Sequence, residues 1–511
     1  MSNIVLTADR ATLSHYRHNL YLGFLSCLPD RLCPEFIYKT IVPAVEPGPG
    51  GTVKLPHLSL RAVEAACFHA GFKSEDITIL PPDALESKIT PDTKIVGISV
   101  HDPLGYGPAT TTWSTIFKGV PFNRIYFLRL MDRVRALKRK HGFKVVVGGP
   151  GDWQLASPAT LDEIGIDFLV LGEAEIAGPK LFGAILAGRP PDDRLVKDRP
   201  PAAQEIPPVL GPSAHHLVEI TRGCGRGCDY CAPDTSGNFR SLPLDKILSD
   251  VRTHIGHGIR DVTFHSDDSL RYGSSSLLAD KDALLGLFAK AFEAGAEKVT
   301  ITHASLVNIA TQPDIVRALT KLLNAHGMDF FGCQPGLETG SARLIGRHMK
   351  GKAYPRDPKD WQEVIIQALT VMKAHHWYAV CTLICGLPEE DAEDVAATTA
   401  LIRRLGNFEA LFIPLFFAPT GLTRLHDRER FVADAMLKEH WELMLACWDH
   451  NFKHLYNLYH RFSPDHGPAF TSLIRVLIVL MKGWVGIQRN HVLRKAEETK
   501  RRRPVSPGGT S

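Results

Sequence analysis

A chain of 511 residues, 44% apolar and 22% charged, has material for two or three buried cores and is neither fibrous nor disordered in composition. A formal charge of +4 is too small over this length to argue for nucleic acid, so no such partner is expected. Ten cysteines spread this widely read as reduced thiols of a cytoplasmic protein rather than as a disulfide framework.

The opening "MSNIVLTADR" has no basic region ahead of a long apolar stretch, so no secretory signal is expected. Residues 1–195 then repeat a short apolar strand, a loop and a helix. "NIVLT" is followed by the amphipathic "SLRAVEAACFHAG" (Ser59 to Gly71), then by "ITIL", "KIVGISV", "KVVVGGP" and "DFLVLGEAE". Short β-branched runs that end in glycine or a polar residue and alternate with helices predict a doubly wound, flavodoxin- or Rossmann-like parallel sheet. Ligands bind such sheets beyond the carboxyl ends of the strands, where Ser99, Gly148, Gly149 and Gly172 fall.

These residues resemble the cobalamin-binding domain of corrinoid proteins, with "GIS" (Gly97 to Ser99), "GGP" (Gly148 to Pro150) and "GEAE" (Gly172 to Glu175) carrying the likeness. The resemblance implies that Ser99, Gly148, Gly149 and Gly172 hold the nucleotide tail of cobalamin. It further implies that a bulky side chain at Gly149 blocks the groove. In one respect the chain departs from that family. Corrinoid proteins that ligate cobalt through histidine carry Asp-x-His-x-x-Gly after the first strand. Here Asp9 is present, but Ala11 and Ser14 stand at the histidine and glycine positions. Cobalamin is therefore expected without a protein imidazole on cobalt, a layer that has lost the cofactor being the alternative.

A linker over 196–212 leads to a segment over 213–426. "HLVEITRG" runs as a strand into "CGRGCDYC", which places Cys224, Cys228 and Cys231 inside eight residues. A structural zinc site needs four ligands, and the next cysteine, Cys333, is far away; His215 or His216 could serve as a fourth, but they sit in or next to the strand. A [4Fe–4S] cluster fits the spacing better, because three thiolates hold three irons and leave the fourth open to a small chelator. Five further strands alternate with helices: "DVTFHSDD", "KVTITHA", "DFFGCQPGLETGS", "YAVCTLICGLPEE" and "LFIPLFFAPTGL". Six βα units predict a partial TIM-like (β/α)6 barrel, with reactive residues at the carboxyl ends of its strands.

Cys-x-x-x-Cys-x-aromatic-Cys, with Tyr230 as the aromatic, resembles the signature of the radical S-adenosylmethionine (SAM) enzymes. That resemblance implies a cluster on Cys224, Cys228 and Cys231, with S-adenosylmethionine on its open iron. By the same likeness Asp267 or Asp268 receives the methionyl amino group, Gly336 and Glu338 contact the ribose, and Gly386 and Leu387 border the adenine. Glu338 and Asp267 or Asp268 are expected to serve binding rather than folding. In that family reductive cleavage of S-adenosylmethionine yields a radical able to take hydrogen from an unactivated carbon, with electrons supplied by a donor such as flavodoxin or ferredoxin. A cobalamin domain ahead of the barrel implies methyl transfer to a small-molecule or lipid-like substrate. A radical cyclase or rearranging enzyme, and a non-catalytic cobalamin- or metal-binding protein, are the alternatives.

Residues 427–498 read as a helical carboxyl-terminal domain. Trp441, Leu445, Trp448, Phe452 and Leu455 form one stripe at helical spacing, expected as core, with a substrate lid or lipid-facing surface as the alternative. The apolar window "AFTSLIRVLIVLMKGWVGI" is interrupted by Arg475 and Lys482. It is expected to be buried or interfacial, making peripheral membrane contact at most, rather than spanning. Residues 499–511, with "KRRRP", read as a disordered tail.

Overall fold

The computed structural model describes residues 2–232, 239–421, 423–462 and 467–502. The chain divides into two compact units. One holds Met1–His303, Leu322–Met328 and Ala418–Asp427; the other holds Ala304–Lys321, Asp329–Phe417 and the chain from Arg428 onward. The division falls after the third strand of the segment expected as a barrel.

The first unit opens with a six-stranded parallel sheet of β1 (Ile4–Ala8), β2 (Ile77–Ile79), β3 (Ile95–Ser99), β4 (Lys144–Gly148), β5 (Phe168–Val170) and β6 (Leu195–Val196). The order is β2-β1-β3-β4-β5-β6, so the winding reverses between β1 and β3, the usual ligand crevice of such sheets. The strands are apolar on both sides because both faces are covered. Val5, Val96, Ile98, Val145 and Val147 pack with Phe127, Leu130 and Val134 of the helix Phe122–His141. Ile4, Leu6, Ile95 and Val146 pack with Leu60 and Cys67 of Leu58–His69 and with Leu181 and Phe182 of Ala174–Leu186. The sheet ends with β6, paired to β5, whose last residue Val196 lies one past the expected boundary at 195.

The same unit carries β7 (Leu217–Glu219), the antiparallel pair β8 (Thr221–Arg222) and β9 (Arg240–Ser241), β10 (Asp261–His265) and β11 (Lys298–Ile301). The parallel order is β11-β10-β7. In the second unit, β12 (Phe331–Cys333) and β13 (Gly336–Glu338) both pair with β14 (Trp377–Cys385), which also pairs with β15 (Ala410–Phe416). The fourth expected strand is therefore broken at Gln334–Pro335, since proline has no N–H to continue the ladder.

The helix Lys438–Phe462 packs on β15. Asn451 accepts from Phe412 N and donates to Phe412 O, both at 2.8 Å, and so satisfies the free edge of that strand. The expected aromatic stripe is not the buried face. Leu445 is buried, whereas Trp441, Trp448, Phe452 and Leu455 are half-buried. His440, Leu443, Met444, Cys447 and His450 fill the core instead. Histidine can occupy that face because His440 accepts from Leu437 N at 3.0 Å and meets Glu390 at 2.9 Å, which removes the penalty of burying an unpaired polar group; His450 Nε2 meets Ala410 O at 3.0 Å. The last helix runs Pro468–Arg502, so residues 499–502 of the expected tail are helical, and 503–511 lie outside the described residues. The window Pro468–Ile487 is only 12% buried, so the buried alternative for it does not hold.

Candidate functional site

The cysteine loop leaves β8 through Gly223, Gly225 and Gly227, all in the left-handed region (φ 73°, 66° and 66°). A side chain at such turns costs backbone strain, and glycine avoids it. Cys228 is buried, while Cys224 and Cys231 are half-buried, as is Tyr230. Among the described residues no disulfide is formed. Nor do any three His, Cys, Asp or Glu side chains there converge as a single ion requires. Three thiols on one short loop suit a cluster, in which each thiolate takes a different iron. Burial pushes the Cys224 thiol up.

Two arginines that sequence reasoning missed hold this loop. Arg271 donates to Cys224 O, and to Ser276 O at 2.8 Å, with its guanidinium 3.9 Å from the centre of the Phe239 ring. Arg226 donates to Asp268 at 3.2 Å and to Leu277 O at 3.1 Å, both charged side chains being almost fully buried. Asp268 is thus engaged in holding the loop. Asp267 accepts from the Gly223 backbone; the residue is exposed, and the protein crowded around its carboxyl raises its pKa against the attraction of His265. The structure therefore separates the two predicted acids by role: Asp268 is a buried ion-pair partner, and Asp267 is an exposed carboxyl next to the loop.

A clamp at the base of the loop was also unseen. Arg222 meets Glu219 at 2.8 Å and also pairs with Glu173 and Glu175, while Arg240 pairs with Glu173. Burial alone would raise Glu219, but Arg222 outweighs it and holds the carboxyl at about 2. The "GEAE" turn of the N-terminal sheet is thereby tied to the strand that feeds the cysteines.

At the carboxyl edge of that sheet, Ser99 Oγ lies 2.7 Å from Ser59 Oγ, which lies 2.9 Å from His57 Nδ1. Burial first, then His101 and His265, lower His57 to about 4. Gly172 (φ 77°) donates to Asp152 at 2.7 Å. At Gly149 (φ 115°) a Cβ would stand 2.6 Å from Val100 O, whereas at Gly148 it would meet Val170 at an ordinary 3.4 Å. Gly149 is therefore required by the neighbouring strand end, and a bulky residue there disrupts the fold before it can report on a groove. Ala11 is buried against Tyr38, Val42 and Phe122, and Asp9 caps the helix Arg10–Leu13 by accepting from Ala11 N and Thr12 N. Position 11 thus points into apolar core.

In the second unit, Glu338 has φ 66°, a strained value for a non-glycine residue of the kind that clusters at functional sites. It is 7% exposed and pairs with Lys352 at 2.9 Å. A Cβ on Gly336 would stand 2.0 Å from the Glu338 carboxylate, so that glycine makes room for the folded-back acid. Glu338 is accordingly an ion-pair partner as well as a candidate ligand. Gly386 (φ 80°) leaves room for Phe431, which a Cβ would meet at 2.0 Å. Gly386 N donates to Glu390, which also accepts from His440, and Leu387 is buried. Leu422 of the closing "APTGL" turn lies outside the described residues.

Residues 218–402 match the family described as the radical SAM superfamily, and this segment of the chain is a radical SAM domain. Among curated proteins, the chain is 26% identical over 313 residues to a tRNA-2-methylthio-N(6)-dimethylallyladenosine synthase of Bdellovibrio bacteriovorus, covering 60% of this chain and 64% of that protein. Among solved structures it is similar to TsrM of Kitasatospora setae, described as a radical S-adenosylmethionine methyltransferase with cobalamin and a [4Fe–4S] cluster bound (TM-score 0.53, 15% identity, 83% of this chain and 77% of that one). It is also similar to OxsB, described as a cobalamin-dependent S-adenosylmethionine radical enzyme with aqua-cobalamin bound (TM-score 0.50, 12% identity, 83% and 55%). The structural likeness establishes the fold class expected above.

Proposed function

We propose that the chain is a cobalamin-dependent radical S-adenosylmethionine methyltransferase acting on an unactivated carbon of a small or lipid-like molecule. The observation that carries this reading is the three-thiol loop at the end of β8, in a chain whose first strands form a doubly wound sheet with Ser99 and Gly148 at its carboxyl edge. Cys224, Cys228 and Cys231 would each hold one iron of a [4Fe–4S] cluster, with Tyr230 beside them. Asp267 would accept the methionyl ammonium, Glu338 the ribose hydroxyls through its carboxylate lone pairs, and Gly386 and Leu387 would border the adenine. Ser99, Gly148, Gly149 and Gly172 would line the nucleotide tail of cobalamin, and the buried Ala11 offers cobalt no imidazole. When bound, these cofactors supply an electron, a radical and a methyl group. The protein's part is to orient them and to hold the loop rigid through Arg226 and Arg271.

The methylthiotransferase among the sequence relatives favours a second reading, transfer of a methylthio group. One experiment addresses both. A deletion strain and its parent are grown on methyl-labelled methionine, and their metabolites and lipids are compared. A labelled product lost on deletion and heavier than its precursor by a methyl group supports the proposal. A sulfur-containing increment supports the second reading. In vitro, the anaerobically reconstituted chain with hydroxocobalamin and a low-potential reductant is expected to retain cobalamin and cleave S-adenosylmethionine. Failure to retain cobalamin overturns the methyltransferase reading, and failure to cleave supports a non-catalytic protein.

A further inference from the structure

We propose that the Pro468–Arg502 helix docks the protein lengthwise on an anionic lipid bilayer surface. Leu473, Val476, Leu480 and Ile487 are 38%, 53%, 63% and 77% exposed. Their spacing of three, four and seven residues sets them on one face of the helix. Val479, also exposed, widens that stripe. A contiguous apolar face of this kind is an interaction surface.

The opposite side is already used. The helix packs on Lys438–Phe462, with Ile474 and Val485 buried, Arg475 5.2 Å from the Tyr456 ring centre and Arg489 3.0 Å from Asp449. Arg475, Lys482 and Arg489 recur every seven residues and so form a basic row beside the apolar stripe. No Asp or Glu occurs from Pro468 to Ala496, whereas Arg494 and Lys495 add further positive charge.

Charge decides the occupant. An apolar face flanked by arginine and lysine, with no acid before Glu497, matches a surface of anionic headgroups over acyl chains. A second copy of the same helix would bring two basic rows together. By length and composition Pro468–Ile487 is able to cross a bilayer. Spanning, however, would place Arg475 and Lys482 in hydrocarbon and drag the Arg489–Asp449 contact with them, which is costly. Lying flat leaves the charges at the headgroups and buries only the stripe.

The test is flotation of the full chain with vesicles of phosphatidylcholine alone or with phosphatidylglycerol. Binding to the anionic vesicles, weakened by high salt, is expected. Val476→Asp combined with Leu480→Asp should lower the partition constant by at least about tenfold, and Lys482→Glu by about fivefold or more. Both should leave the melting temperature unchanged, because these side chains are exposed. Equal binding to neutral vesicles, or none to anionic ones, overturns the proposal. Retention in cell membranes through alkaline carbonate washing assigns the helix to spanning instead. A dimer that the aspartates dissociate assigns the stripe to a second copy. None of these readouts depends on cluster, cobalamin or substrate.

Discussion

Glycine at the end of β4 and glycine at the start of β13 solve different problems. At Gly149 the space a Cβ would take is filled by backbone, the Val100 carbonyl 2.6 Å away. At Gly336 it is filled by charge, the Glu338 carboxylate at 2.0 Å and the Lys352 ammonium at 2.8 Å. The edge of the N-terminal sheet is thus closed by its own main chain, and its Ser99 is already hydrogen-bonded to Ser59. The strand ends of the radical SAM segment instead keep a glutamate, Glu338, that is both strained, φ 66°, and buried beside Lys352. Strain and buried charge persist only where something compensates for them. The first region's edge is thus packed shut, whereas the second keeps a strained, buried acid of the kind that clusters at functional sites.

The largest effect that would break this contrast is at the cysteines. Cys228→Ala should leave the fold intact but abolish reductive cleavage of S-adenosylmethionine. Wild-type protein reconstituted anaerobically should hold about four irons and four sulfides per chain. Stoichiometric zinc in anaerobically purified protein would remove the radical chemistry from this region altogether.

Next in size is the clamp between the two regions of the first unit. Arg222→Ala leaves Glu173, Glu175 and Glu219 without their common cation, and should cost about 3–5 kcal/mol by chemical denaturation. The clamp also has a pH signature. Glu219 is held at about 2, below its usual 4.5, so its contribution is fully present above pH 4.5 and is lost as pH falls through about 2. The wild-type chain should lose stability across that window more steeply than the Arg222→Ala variant. Parallel curves would show that the carboxylates find other partners.

Much of this was legible in sequence, for reasons the residues make plain. The parallel strands announce themselves through short β-branched runs ending in glycine or a polar residue, and three cysteines in eight residues point to their own chemistry. The clamp was not legible, because Arg222 and Glu173 stand 49 residues apart and each alone reads as a solvated charge. The break at Pro335 falls inside a run whose apolar pattern continues on both sides. The buried face of Lys438–Phe462 was missed because His440 and His450 help to carry it, and an apolar count passes over histidines whose hydrogen-bond partners, Glu390 and Ala410, are distant in sequence.

The comparison sharpens at neighbouring glycines. Gly149→Ala adds a backbone clash at φ 115° and should cost about 3 kcal/mol. Gly148→Ala, with contacts at 3.4 Å, should stay within about 1 kcal/mol. Gly148 is therefore the better place to probe a cobalamin groove: a larger side chain there should reduce cobalamin retention without unfolding the sheet. Equal melting temperatures for the two alanine variants would show that the strand end yields, and that the close approach at Gly149 is not a packing requirement.

The smallest expected effect separates the two roles of Glu338. Glu338→Gln keeps an oxygen acceptor but removes the charge facing Lys352 at 2.9 Å, and should lower stability by about 1–2 kcal/mol. Adding Lys352→Met removes the other half of the pair, so most of that loss should return, since a buried ion pair replaced by neutral groups is often close to neutral in stability. Affinity for S-adenosylmethionine, read by calorimetry on the reconstituted protein, should fall in the single variant and stay low in the double one. If affinity returns along with stability, Glu338 acts only through folding. The strained φ would then belong to the bulge between β13 and β14 rather than to a ligand.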